Sequence, residues 1–191
     1  MPNLRVCAAA AAAMLAFAGC GGGGGERRDA DAPDGAYTVA VERASFPREQ
    51  RLAQRSALAI TVRNEGDKAI PNLVVTVRGF TDRLAGARNA DPARDLWIVD
   101  RGPAGASTAF EDTWAAGRVE PDRTATLRWD VTPVVAGAHT LSYEIAPALA
   151  GPARAQLTGG GEPRRSLTVR VTGRPAAARV DPRTGEVRRQ E

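Results

Sequence analysis

Cysteine is nearly missing from this 191-residue chain: only Cys7 and Cys20 occur. A fold stapled by several disulfides is therefore excluded, and so is a thiolate metal site of the four-ligand kind. Histidine is rarer still, with His139 alone available as a base that titrates near neutrality. Lysine is represented by Lys68 alone, so 25 of the 26 basic residues are arginine. Against 22 acidic residues this leaves a formal charge of +4, too small and too scattered along the chain for a nucleic-acid footprint. Beyond residue 20 there is no long apolar run and no stretch of helical length with 3.6-residue periodicity, and prolines interrupt most candidates. Neither a helical bundle nor a spanning helix is written in that part of the sequence.

What is present begins with Val6 to Ala18, an uncharged apolar run of 13 residues preceded by Arg5. It is shorter than the roughly 20 residues that cross hydrocarbon. A basic start, a short apolar stretch and a small-residue exit describe a secretory signal peptide. The exit itself, Phe17-Ala18-Gly19-Cys20, resembles the bacterial lipobox, with Phe17 where that pattern more often has Leu. The resemblance implies cleavage after Gly19 and lipidation of the Cys20 thiol. The protein would then be held at the cell membrane on its extracytoplasmic face, anchored by acyl chains without spanning the bilayer. Cys7 lies in the part to be discarded, so the mature chain would form no internal disulfide.

Residues 20–35, with five glycines from Gly21 to Gly25 and a polar run up to Gly35, read as a tether. Such a chain of about 15 residues has a root-mean-square span of roughly 20–23 Å. The glycines formally satisfy G-x-G-x-x-G but follow no strand and open no helix, so they do not point to a dinucleotide.

From Tyr37 onward apolar and polar residues alternate in short runs. Leu58, Ile60 and Val62 share one face; Asn64-Glu65-Gly66-Asp67 supplies a turn; Leu73, Val75 and Val77 follow. Leu96 to Val99 reads as a short buried strand. Leu127, Trp129 and Val131 form the next apolar face, then Leu141, Tyr143 and Ile145, and finally Leu167, Val169 and Val171. The pattern predicts an all-β protein: a single β-sandwich of about 7–9 strands over residues 36–173, behind a signal helix at 1–19 and the tether. Residues 174–191, with five arginines, read as a basic tail with a small hairpin at Val180 to Val187.

LAITVRNEGDKAIPNLVVTV and GRVEPDRTATLRWDVTPVVAGAHTLSYEI resemble the immunoglobulin-like modules of bacterial surfaces, especially the CARDB type. The resemblance covers roughly residues 36 to 172 and implies adhesion or spacing without catalysis. The chain departs from the simple pattern by a long insertion, Phe80 to Phe110.

Candidate sites are few. Trp97 and Trp114 in or beside the insertion form a candidate ligand surface for sugar stacking, whereas Trp129 is in phase with Leu127 and Val131 and is expected in the core. Asp91, Asp95 and Asp100 could offer oxygens to Ca²⁺, but their spacing fits no Ca²⁺ loop, and Arg88, Arg94 and Arg101 stand close enough to neutralise them. No metal and no cofactor is assigned. His139 has Ser142 nearby but no G-x-S-x-G, and Glu111 and Asp112 would point to opposite faces of a strand. The expectation is therefore a non-catalytic envelope lipoprotein that binds or spaces at the cell surface, with an envelope protein or wall polymer as partner. The alternative is a carbohydrate- or ion-binding accessory component of an envelope transporter or wall enzyme.

Overall fold

The computed structural model describes residues 34–82, 95–175 and 177–189. The signal run, Gly19, Cys20 and most of the tether lie outside the described residues. Among those described there are thirteen strands and no helix. In chain order they are β1 (Ala36–Ser45), β2 (Glu49–Arg51), β3 (Ser56–Asn64), β4 (Val74–Arg78), β5 (Trp97–Arg101), β6 (Ser107–Phe110) and β7 (Thr113–Ala115). There follow β8 (Thr124–Pro133), β9 (Gly137–Ala146), β10 (Arg154–Leu157), β11 (Arg164–Thr172), β12 (Ala178–Val180) and β13 (Val187–Arg189).

Period-two patterning makes the sandwich. In β3 every second residue from Ser56 to Asn64 is buried and those between are half-buried, the signature of a strand with one face on a core. One sheet has the order β10-β1-β3-β8-β5, the other β2-β11-β9-β4-β7-β6. All pairings within the two are antiparallel except β1 with β10 and β2 with β11. The nuclei of the two sheets, β1-β3-β8-β5 and β11-β9-β4, reproduce the immunoglobulin division into four strands and three. The first strand also divides in the immunoglobulin manner: β1 lies beside β3, then the chain passes Phe46 and β2 joins the opposite sheet.

The two sheets hold eleven strands, more than the 7–9 read from the sequence. The surplus is short edge strands. β2 is Glu-Gln-Arg and β10 is Arg-Ala-Gln-Leu, neither of which alternates enough to be seen. The β6–β7 pair, turning at Glu111-Asp112, extends the second sheet beyond β4. The basic tail carries the small hairpin expected there, β12 paired with β13.

The insertion leaves and returns at one atom. Gly79 has φ +109, and a Cβ there would meet the Thr140 carbonyl oxygen at 2.9 Å, so the close approach to β9 of the chain leaving β4 needs glycine. The next residue, Phe80, is fully buried, and its carbonyl accepts from both Leu96 (3.0 Å) and Trp97 (3.1 Å).

The sandwich has two poles. At one, the chain enters at β1, and here lie Asn64, Thr124 and the start of β10. At the other lie Ser56, Pro133, Gly137 and the end of β11 beside Arg51, from which the hairpin departs. The ten-residue β1 spans roughly 33 Å between them.

Asn64 organises the entry pole. It is completely buried, donates from Nδ2 to the carbonyls of Lys68 and Val119 (both 2.9 Å), and accepts from the Gly66 amide at 3.0 Å. Asn64→Ala removes these three hydrogen bonds, the Val119 carbonyl keeping only the Ile70 amide at 2.9 Å, at a cost of about 2–3 kcal/mol, or roughly 4–12 °C in Tm for a domain of this size. Thermal unfolding followed by circular dichroism measures the loss.

Candidate functional site

The two tryptophans proposed as a sugar platform are both inside the protein. Trp97 is 1% exposed and Trp114 is 6% exposed, so neither offers a ring face to a ligand. Strand parity is the cause. Trp97 opens β5 facing inward, edge-on to His139 at 5.3 Å and packed near Phe46 and Phe80; its indole N–H donates to Gln50 Oε1 at 3.0 Å. Trp114 stands opposite Val75 on the inward face of β7 and meets Trp129 edge-to-face at 5.3 Å. Trp129 occupies the core, fully buried, and its Nε1 has no hydrogen-bond partner among the described residues. Phe110, by contrast, is 63% exposed at the end of the edge strand β6.

His139 is structural. It points inward on β9, 7% exposed, and Nε2 lies 3.0 Å from the Val135 carbonyl. Ser142 sits on the outward face of the same strand, paired in register with Arg78 and Ser166, so the histidine and the hydroxyl never meet.

The acidic residues are dispersed. Asp100 accepts from Thr132 Oγ1 at 2.6 Å and pairs with Arg55 at 3.6 Å, while Arg101 reaches Asp130 at 4.0 Å. Asp91, Arg88 and Arg94 lie outside the described residues. Among the described residues no group of three metal-ligating side chains converges.

Glu111 and Asp112 form the β6–β7 turn, not a strand, and the opposite-face argument does not apply to them. Asp112 adopts a left-handed φ of +57 and accepts from Thr81 Oγ1 at 2.6 Å, which ties the start of the insertion to the turn. Burial holds its carboxyl above the ordinary carboxylate range, against the lowering effect of the Thr81 hydrogen bond and with help from Glu111, Asp82 and Asp95.

Described residues line two concavities of note. A groove of about 380 Å³ runs beside β7, walled by Asn72, Gly105, Ser107, Ala116, Gly117 and Leu149. It has the size of a small ligand site but not the charged or aromatic side chains that fix a ligand. A smaller cleft of about 150 Å³ lies on the outer face of the second sheet, between Thr76, Arg78, Ser142, Glu144 and Arg164. Much of that face is polar: Thr140 and Thr168 are cross-strand neighbours, and so are Arg170 and Glu49. Sequence patterning does not reveal it, because outward residues of a strand carry no periodic mark beyond being polar.

Two outcomes follow from these environments. With all three tryptophans inside, fluorescence emission is blue-shifted in the folded protein, iodide quenches it little, and wall glycans leave it unchanged. A carboxyl raised by burial binds more protons folded than unfolded between the ordinary carboxylate range and its raised value, so stability falls as pH rises through that window. Asp112→Asn keeps an acceptor for Thr81 and tolerates the left-handed backbone. Its Tm exceeds that of the parent at pH 7, and the gap closes on acidification to the range where a free aspartate protonates, as thermal melts across pH record.

No protein-family model matches the sequence, and no curated protein matches it. Solved structures share its architecture at low identity. The CARDB domain of the PF1109 protein from Pyrococcus furiosus, in complex with di-metal ions, is 13% identical over 72% of this chain and 93% of that one, with a TM-score of 0.39. Native alpha-2-macroglobulin from Escherichia coli, from domain MG7 to the C-terminus, is 17% identical over 78% of this chain and 21% of that one, TM-score 0.43. A beta-glucosidase from Listeria innocua in complex with gluconolactone is 12% identical over 73% and 16%, TM-score 0.39. At these values the β-sandwich assignment stands on the chain's own strand order: an all-β, immunoglobulin-like domain with two mixed sheets.

Proposed function

We propose that this protein is a non-catalytic lipoprotein of the cell envelope, anchored through Cys20, whose immunoglobulin-like sandwich binds or spaces outside the membrane. The observation that carries the reading is the polarity of the sandwich. The chain enters at one pole and departs at the other, roughly 33 Å away. An anchor at Cys20, joined to the entry pole by a glycine-rich tether, would therefore leave the opposite pole and its hairpin facing away from the lipid.

The interior supports a binding or spacing role over a reaction. The one histidine serves packing, and the buried aromatics fill the space between the sheets. Stability follows from that packing: each fully buried Leu, Ile or Val in β3, β8 and β9 contributes about 1.5–3 kcal/mol.

The anchoring part is checked on the native product. Mass spectrometry of the N-terminal peptide from the membrane fraction shows Cys20 as first residue carrying acyl chains, and Cys20→Ala moves the protein out of that fraction. A product that retains residues 1–19 and a bare thiol, dissolved in the cytosol, sinks the proposal.

A further inference from the structure

At the entry pole three arginines are matched by carboxylates, while Arg154 there donates only to the Gly151 and Ala153 carbonyls. Arg63 meets Asp122 at 2.8 Å, Arg118 meets Glu120 at 2.6 Å and Arg164 meets Glu162 at 2.9 Å. At the hairpin pole Arg55 meets Asp100 at 3.6 Å, but six others have no such partner. Arg48, whose carbonyl accepts from the Arg170 amide at 2.7 Å, and Arg51, beside Thr172, are exposed there with Arg170 itself. Arg174 follows β11 by two residues, and Arg179 and Arg183 sit on the hairpin, which begins within about 20 Å of Thr172 by chain length. Among the described residues none of these six lies within 4.0 Å of a carboxylate.

The acidic residues nearby offset this charge only in part. Glu49 stands opposite Arg170 in the β2–β11 register. Asp181 is spent inside the hairpin, where its Oδ1 accepts from the amides of Arg183 (2.8 Å) and Thr184 (3.3 Å). Glu186 closes the same turn through its carbonyl, which accepts from the Asp181 amide at 2.9 Å. The hairpin is held by this turn and by the cross-strand pair Val180 and Val187, both more than half exposed.

We infer that the hairpin pole is a docking surface for an anionic glycan polymer. The guanidiniums are spread over β2, the end of β11 and the hairpin, which suits a repeating anion held at many points. Exposed hydroxyls of Thr140, Thr168 and Thr172 lie on the outer face leading to Arg51 and Arg170, within reach of sugar hydroxyls. A lipid surface is the poorer match. This rests on the reading of the sandwich as a module displayed outside the membrane, in which the pole faces outward by several times the Debye length of about 8–10 Å. The anionic group is a phosphodiester or a carboxylate.

The test uses the full-length chain carrying Cys20→Ser, so that binding is scored independently of anchoring. Retention is measured on immobilised poly(glycerol phosphate), polygalacturonate and neutral dextran, on phosphatidylglycerol vesicles and on duplex DNA. The inference expects retention on one or both anionic polymers, none on dextran, and weakening with salt. Retention on the first polymer alone identifies a phosphodiester, on the second alone a carboxylate. The combined variant Arg51→Gln, Arg170→Gln, Arg174→Gln, Arg179→Gln, Arg183→Gln weakens binding at least roughly tenfold, whereas Arg63→Gln with Arg118→Gln at the other pole changes it less than about twofold. Near-ultraviolet circular dichroism, which reads the buried tryptophans, verifies each variant's fold. The inference is overturned by no retention on either polymer, by equal binding of the five-site variant, or by tighter binding to vesicles or DNA than to both polymers. A bare Cys20 in the native product overturns the anchoring alone.

Discussion

The indole of Trp97 closes the sandwich at the hairpin pole. It opens β5 in one sheet and touches residues that belong to, or lead into, the other: Gln50 on β2, His139 on β9 and Phe80 after β4. Gln50 is itself 2% exposed and returns its amide to the Pro47 carbonyl at 3.1 Å, so the hydrogen bond from Trp97 satisfies a polar group that would otherwise be costly to bury. With no cysteine among the described residues to cross-link the sheets, this aromatic and amide cluster does by packing what a bridge does elsewhere. The pairing of β2 with β11, and hence the placement of Arg51 and Arg170, depends on Gln50 staying where Trp97 holds it.

Strands β3, β4, β8, β9 and β11 were legible because each alternates apolar and polar residues over a useful length. Their faces came out as read: Leu58, Ile60 and Val62, then Leu127, Trp129 and Val131, are all buried. The edge strands were not legible. The one inward residue of β2 is a glutamine, whose burial is decided by a tryptophan 47 residues away. Trp97 was misjudged for a related reason: Leu-Trp-Ile-Val has no polar member to set its phase. In the fold Leu96 and Trp97 are both buried, while Ile98 is half exposed on the outer face beside Thr132. Trp114 lies in a strand of three residues, too short for any periodicity.

Charge distribution was beyond the sequence for a different reason. Arginines are scattered evenly along the chain, and only the register decides which of them meet a carboxylate. Arg63 and Asp122 are separated by 59 residues, yet the β3–β8 pairing brings them to 2.8 Å. Arg51 and Arg170 come to the same pole through the parallel pairing of the edge strand β2 with β11, where Glu49 stands opposite Arg170. A chain with little net charge can in this way gather most of its unmatched arginines at one pole.

The pinning of the insertion at the Phe80 carbonyl separates two design problems that share one polypeptide. Because both ends of the excursion are fixed by hydrogen bonds at a single buried residue, the sheets do not register how much chain is strung between Thr81 and Asp95. Doubling such a loop costs only about 0.6 kcal/mol in closure entropy. Descendants of this sequence are thus free to lengthen, shorten or rewrite that excursion while the scaffold beneath it stays under unchanged selection.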